Sequence, residues 1–208
     1  MNDRTLLLEP SGTSTDLAST LSDRFADLHR QVRESHPEVT RMACALFDPG
    51  DDSLKTFVNS TVDATPLASY ECALARAPSL LELAAERKTR TIHDLRTALR
   101  PTTEHSRWVL EQGYQSSYTV PLFRNRDLLA FVFYDSPHAG AFKPPLRRDL
   151  ALYASVVGFL LNNELTALHT LLGATQLARD FAHMRDLETG DHLERMARYS
   201  RLIARELA

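Results

Sequence analysis

Two residues near the end of the chain, Glu188 and His192, have the types and the spacing that can hold a metal ion. They are four positions apart, so on a helix they project from one face at about 40° to each other. A carboxylate and an imidazole placed in this way can share one transition-metal ion. The pair therefore predicts part of a metal site, because two ligands do not make a catalytic centre.

The neighbours of this pair favour a metal site over an ordinary capped helix. One helical stripe is shared by Glu188, His192, Met196, Tyr199, Ile203 and Leu207. Both candidate ligands thus lie on the apolar side of the helix, where polar groups need a partner or a metal. The alternative is a surface helix with Thr189 or Asp191 as its cap and an ion pair between Glu194 and Arg198. His183 falls on the opposite side and is left out of the site.

The segment Arg185-Asp186-x-Glu188-Thr189-Gly190-x-His192-x-x-Arg195 resembles the first helix of HD-GYP domains, bacterial phosphodiesterases that open cyclic di-GMP. The resemblance implies that His192 is the first metal-binding histidine of that family. It also places Glu188 where some members carry a carboxylate that ligates an additional metal. In the family, divalent metals of the Fe or Mn type activate a bridging water that attacks phosphorus.

Most of the HD-GYP site is missing from this chain. Sixteen residues follow His192, and none of them is His, Asp or Cys. The His-Asp dipeptide, the further histidines and the Gly-Tyr-Pro loop of the family therefore have no counterpart after it. We predict no catalytic residue, no enzymatic activity and no tightly bound metal for this chain alone, and a cyclic di-GMP phosphodiesterase as its full-length parent. A degenerate parent that binds cyclic di-GMP without cutting it is an alternative.

The elements before this segment must position it, and the first of them form a helix and two strands. Apolar residues recur at helical spacing after a cap at Thr15 or Asp16, and the helix should end before Pro37. Residues 39–47 and 54–60 have the composition of two strands joined by a turn.

The middle of the chain predicts mixed short elements. A helical stretch is expected over 69–87, interrupted near Pro78, and a short strand over 89–94. A further helix over 106–112 should end at Gly113, because glycine accepts the left-handed conformation of a C-terminal cap.

The strongest local pattern is a hairpin followed by a very long helix. Residues 116–123 and 128–135 are rich in strand-forming side chains and flank a four-residue polar turn. Apolar residues then recur at helical spacing over about 146–184, which corresponds to roughly 55 Å of helix. A domain of this size does not need that length for its own core, so the helix is predicted to be a connector.

This order of elements resembles a GAF domain, a small-molecule-sensing α+β module. The resemblance covers Thr15 to Asn163, and its markers are the run 116–122, the strand 128–134 and Phe142. It implies a central antiparallel sheet flanked by helices. We accordingly divide the chain into a flexible lead-in (1–14), a GAF-like sensory domain (15–163), a signalling helix (164–184) and the first helix of an incomplete HD-GYP domain (185–208).

The GAF resemblance implies a ligand pocket, for which the candidate residues are Met42, Cys44, Leu46, Tyr118 and Val120. Both alternating sets of side chains over 42–47 are apolar, so both faces of that strand are covered, either by a ligand or by plain packing. The sequence leaves that choice open. It lacks the pattern that GAF domains use for cyclic nucleotides and the Cys-His dipeptide that tethers a bilin, and it does not name a ligand.

One further candidate is given a structural interpretation. The dipeptide His93-Asp94 precedes the HD-GYP-like segment instead of following it, and we interpret His93 as a half-buried, hydrogen-bonded side chain. Cys44 is expected to pack as a small apolar residue.

The composition of the chain limits the classes of partner that we expect. The 24 basic and 27 acidic residues are interspersed and give a net charge of −3, which does not favour nucleic acid. Cys44 and Cys72 form no disulfide or zinc pattern, so we expect a reduced, cytoplasmic setting. No apolar run reaches the ~20 residues that span a bilayer, and no membrane contact is expected.

We expect two partners, an unknown small-molecule effector and a second copy of the chain. A homodimer would form through the helices at 15–36 and 146–184, and ligand binding would change their packing. The competing interpretation is a ligand-free GAF scaffold that only holds these helices together.

Overall fold

The structure is a computed structural model that describes residues 20–62, 71–99, 104–185 and 187–206. The chain divides into two compact units, Met1–Gly158 and Phe159–Ala208. The predicted lead-in, 1–14, lies outside the described residues.

The first helix, α1 (Leu21–Ser35), begins at a capping box. The Thr20 side chain accepts a hydrogen bond from the Asp23 backbone N–H, and the Asp23 carboxylate accepts one from the Thr20 N–H at 2.9 Å. This reciprocal pair satisfies two backbone donors that the helix leaves free. The cap of α1 is therefore Thr20 and not Thr15 or Asp16, the two predicted residues, which lie outside the described part of the chain. The predicted end before Pro37 is confirmed.

Within the described ranges, six strands form one sheet in the order β3-β2-β1-β6-β5-β4, and every neighbouring pair is antiparallel. Their bounds are β1 (Arg41–Asp48), β2 (Ser53–Thr61), β3 (Glu71–Ala73), β4 (Arg90–Ile92), β5 (Ser116–Arg124) and β6 (Asp127–Ser136). The sheet and its flanking helices give the α+β architecture that the sequence predicted.

The segment between β2 and β4 differs from its prediction. Where a helix was expected over 69–87, the chain forms β3, a short 3₁₀ turn at Leu74–Arg76 and then α2 (Pro78–Glu86). Pro78 begins α2 instead of interrupting a longer helix, because the first turn needs no N–H from that residue. Residues 71–73 form a strand because they pair with β2 at the edge of the sheet. Such pairing depends on tertiary structure, so local propensity does not predict it.

Two short helices lie between β4 and β5 in the chain. α3 (Leu95–Ala98) was not predicted, and α4 (Glu104–Glu111) agrees with the helix expected over 106–112. Gly113, with φ of +81°, ends that region as predicted. The β5–β6 hairpin is tighter than expected, since Arg124 pairs with Asp127 and only Asn125 and Arg126 form the turn.

The long helix of the prediction is α5 (Pro144–Arg185), and α6 (Leu187–Glu206) follows it. Within the first unit, α5 supplies the buried side chains of Leu146, Leu150, Ala154 and Val157. The buried hydroxyl of Tyr134 on β6 donates to the Leu150 carbonyl at 3.0 Å, which ties this part of α5 to the sheet.

The range Pro144–Phe181 of α5 is long and apolar enough to cross a membrane by length and composition, with a mean hydropathy of 1.2 over its most apolar window. This differs from the expectation that no run approaches a bilayer span. Core helices of water-soluble domains pass the same test when they are mostly buried, whereas 22% of this window is buried in the structure.

Candidate functional site

The two faces of the sheet have different coverings. Neighbouring residues on a strand point to opposite faces, and directly opposed residues on paired strands share one. Met42 lies opposite Tyr134, whose hydroxyl reaches α5. Arg41 and Ala43 lie opposite Asp135 and Phe133, and so belong to the other face.

This second face borders a cavity of about 300 Å³ within the first unit. Its floor consists of side chains from three neighbouring strands, namely Arg41, Ala43, Ala45, Ser117, Phe133 and Asp135. Its walls come from β2, the start of α2, β4, α3 and α4, and include Leu54, Leu80, Arg90, Ile92, Leu95, Leu99, Ser106 and Val109. The lining is mainly apolar with a few polar groups, as is usual for small-molecule sites.

The sequence creates this space through small side chains on β1. Ala43 and Ala45 occupy successive inward positions of β1, where larger residues would fill the volume. Two apolar clusters close the sides. The first contains Leu54, Leu74, Leu83 and Phe131, and the second contains Leu95, Val109 and Tyr114.

A buried ion pair lies at one edge of the floor. The Arg41 guanidinium donates from Nη1 to the Asp135 carboxylate, and each side chain is only 3% exposed. Arg41 also donates from Nε to Asn59 Oδ1 at 3.2 Å, and its Cζ lies 4.9 Å from the centre of the Trp108 ring. These contacts hold both charges in a fixed geometry beside the cavity.

Arg90 is a second cation in the lining, with weaker compensation. Its Nη1 donates to Ser79 Oγ at 2.7 Å, while its buried Nε has no hydrogen-bond partner among the described residues. Burial lowers the pKa of this guanidinium, and the charge of Asp135 acts in the opposite direction. The cavity lining therefore contains a positive group that makes no ion pair with the part of the chain that the structure describes.

Both cysteines border the cavity, and neither forms a disulfide. Burial raises the pKa of the Cys44 thiol to about 12, so this residue is a neutral apolar group at physiological pH. This agrees with the packing role expected for it.

Of the five residues proposed for the pocket, only Cys44 lines this cavity, next to an irregularity in the β1–β2 register. Met42, Leu46, Tyr118 and Val120 are absent from its lining. Their strand positions alternate with those of the cavity floor, and the Tyr118 ring contacts Tyr134 and Phe142. The structure thus assigns these four residues to the face that α5 covers.

Sequence reasoning missed Arg41, Arg90, Ser117 and Asp135. A usable signal was present in β1, where a charged residue and two alanines alternate with Met42, Cys44 and Leu46. A strand face that combines small residues with a charge is poorly suited to plain packing, and it marks the side on which space is left.

The dipeptide His93-Asp94 has a structural role. The Asp94 side chain accepts from the Arg96 N–H at 2.9 Å and so caps α3, while the His93 carbonyl accepts from the Gly140 N–H. His93 is exposed, not half-buried as expected. Nothing in this geometry joins the dipeptide to a metal site.

In the second unit, α6 contains positions 188 and 192 on one continuous helix, one turn apart. The Glu188 side chain lies outside the described part of the structure, and His192 is exposed. Among the described residues no group of three or more His, Cys, Asp or Glu side chains could hold a metal ion. The proposed partial metal site stays a prediction.

No protein-family model matches the sequence, and no curated protein matches it. Solved structures do match. They include the chromophore-binding domain of a bacteriophytochrome from R. palustris, with a TM-score of 0.55, 14% identity and coverage of 73% of this chain. The match spans 58% of that domain's chain.

Two isolated GAF domains match over more of their own length. The blue-light absorbing form of the Thermosynechococcus elongatus PixJ GAF domain has a TM-score of 0.56 and 15% identity, covering 75% of this chain and 93% of that one. The phycoerythrobilin-bound GAF domain of a cyanobacterial phytochrome has a TM-score of 0.53 and 18% identity, covering 68% and 84%. At these identities the likeness shows the fold alone, and the fold is that of a GAF domain.

Proposed function

We propose that this chain is the sensory region of a bacterial signalling protein, in which the GAF domain binds a small molecule in the cavity above Ala43 and Ala45. The observation that carries the proposal is the cavity itself, about 300 Å³ with an apolar lining and a few fixed polar groups. Natural ligand sites have this composition and volumes of roughly 300–1,000 Å³. The volume lies at the lower end of that range, which favours a small effector.

The test uses a substitution that fills the cavity. Ala43→Phe adds a ring at a residue that lines the cavity, whereas Ala73→Phe adds the same ring at an exposed position of β3 and serves as the control. Each protein is purified under native conditions and then denatured, and the released small molecules are identified and counted by mass spectrometry.

We expect one compound at close to one molecule per chain in the wild type and in Ala73→Phe, and its loss in Ala43→Phe. The same compound at equal occupancy in Ala43→Phe would place the site elsewhere. No bound compound in any of the three proteins would contradict the sensory role and favour the scaffold.

The scaffold is the second candidate, and the exposed apolar side chains of the second unit favour it. They include Leu168, Leu171, Leu172 and Phe181 on α5 and Met196, Tyr199 and Ile203 on α6, each 48–66% exposed. We propose that a second copy of the chain covers them. Light scattering at micromolar concentration should give a dimer, and the double variant Leu168→Glu/Leu172→Glu should give a monomer. A monomeric wild type would contradict this dimer.

We further propose that the full-length parent hydrolyses cyclic di-GMP. The support is the HD-GYP-like segment, whose positions 188 and 192 lie on α6 with the spacing that shared metal ligation requires. A divalent metal in the complete site would activate the attacking water. In the full-length protein, His192→Ala should abolish Mn²⁺-dependent hydrolysis, and Arg201→Ala on the same helix should not. Binding of cyclic di-GMP without hydrolysis by the wild type would indicate the degenerate alternative.

A further inference from the structure

We propose that the effector in the cavity is a small organic carboxylate, with its apolar body over Ala43 and Phe133 and its carboxylate paired with Arg90. The inference rests on the proposed function of the cavity as a ligand site. It adds the chemical class of the ligand and the residue that recognises its charge.

The charges around the cavity do not balance. Of the described residues, three arginines line it, namely Arg41, Arg76 and Arg90, against one carboxylate, Asp135. Arg41 and Asp135 neutralise each other in an ion pair that is almost fully buried. Arg76 is exposed, so water solvates it. Among the described lining residues, Arg90 is therefore the half-buried cation without an ion pair.

Arg90 is half-buried, and its buried Nε has no hydrogen-bond partner among the described residues. Within the described part of the chain it makes no ion pair, and its one side-chain hydrogen bond goes to the neutral hydroxyl of Ser79. Five N–H donors are available on an arginine, and a buried charge without a counter-charge is unfavourable. A carboxylate can accept two parallel N–H donors from one guanidinium, which supplies both the missing charge and the missing acceptors.

The rest of the lining limits the size and polarity of the ligand. Apart from the arginines and Asp135, the cavity offers chiefly aliphatic and aromatic surface, with the hydroxyls of Ser106 and Ser117 among the few polar groups. A ligand of this site thus needs an apolar body. One uncompensated cation calls for a single negative charge, which a monocarboxylate carries at neutral pH.

The test compares 4-phenylbutyrate with its neutral amide, 4-phenylbutyramide, which has nearly the same shape. Binding of each probe to the full chain is measured by calorimetry for the wild type, Arg90→Gln, Arg90→Lys and Arg124→Gln. Arg124 is an exposed arginine at the end of β5 outside the cavity lining and provides the matched control. Thermal melts of each protein without probe show that it is folded.

We expect the acid to bind the wild type and Arg124→Gln about tenfold to a hundredfold more tightly than the amide, the range that a charge-assisted hydrogen bond provides. Arg90→Gln should remove this preference without changing the affinity for the amide, and Arg90→Lys should restore part of it. The restoration distinguishes recognition of charge from a structural defect at position 90.

Equal affinity of the wild type for acid and amide would overturn the inference, as would an unchanged preference in Arg90→Gln. Binding of neither probe at low millimolar concentration would also overturn it. The compound released from the natively purified protein decides the proposed function separately. A neutral or cationic compound found there would leave the ligand site intact and refute only the carboxylate.

Discussion

The buried pair of Arg41 and Asp135 makes a quantitative prediction about the candidate site. Replacing either partner leaves the other as a lone charge, because both side chains are 3% exposed. Removing one member of such a pair typically costs about 3–5 kcal/mol of unfolding free energy. We therefore expect this loss in Arg41→Met and in Asp135→Leu, each measured by urea denaturation at neutral pH.

The double variant Arg41→Met/Asp135→Leu should lose much less than the sum of the two single losses. It contains no orphan charge, and well-packed apolar residues often replace a buried ion pair at little cost. Asn59 loses the Arg41 donor in this variant, so a residual loss of about 1 kcal/mol is expected from that hydrogen bond. With single losses of about 3 kcal/mol or more, the resulting coupling energy is at least about 5 kcal/mol.

An exposed pair on α1 provides the control for this cycle. Arg30 and Asp27 have a short contact of 2.6 Å, but their side chains are 67% and 53% exposed. Their coupling in the same type of cycle should stay below about 1 kcal/mol, because water screens the charges. Additive losses at Arg41 and Asp135, with a coupling as small as that of the control, would refute the reasoning that burial governs this pair.

Two other predictions concern the groups that attach helices to the sheet. His29 is buried and hydrogen-bonded at both ring nitrogens, to Ser60 Oγ and the Val39 carbonyl, and burial lowers its pKa from 6.5 to about 4. The folded state favours the neutral form, so the full contribution of His29 to the free energy of unfolding is present above pH 6.5. This contribution falls by about 3 kcal/mol as the pH drops to about 4. In His29→Gln the free energy of unfolding should depend less steeply on pH across this range, and equal slopes would contradict the assignment. Tyr134→Phe should cost about 1–2 kcal/mol, because the buried Leu150 carbonyl loses its added donor, and an unchanged denaturation midpoint would argue against that hydrogen bond.

The parts of the fold that were predictable are those with a strong local pattern. The strands around Met42 and Phe131, the β5–β6 hairpin and the long α5 all follow from side-chain periodicity, which depends on the element and not on its surroundings. The start of α1 was misplaced because several residues before Leu21 can cap a helix. The reciprocal geometry of Thr20 and Asp23 selects one of them.

The candidate site was less predictable because it depends on which elements cover each face of the sheet. The alternation of β1 separates Ala43 and Ala45 from Met42, Cys44 and Leu46, yet both sets are apolar. The charge of Arg41 distinguishes the two sets in the sequence, but the cavity itself depends on the placement of α2, α3 and α4. Arg90 could not be identified either, since its contact with the Ser79 hydroxyl joins two segments that the sequence does not show to be neighbours.

Strand β6 connects the cavity to α5, so it can transmit a side-chain movement from one to the other. Phe133 and Asp135 line the cavity, and the residue between them, Tyr134, holds the Leu150 carbonyl of α5 through its hydroxyl. These three residues are consecutive and share planar peptide units, so they cannot shift independently by more than small torsional adjustments. A ligand that displaces the side chains of Phe133 and Asp135 would thus also shift Tyr134. Through the hydrogen bond of Tyr134, this shift would reach the α5 backbone on the opposite face of the sheet.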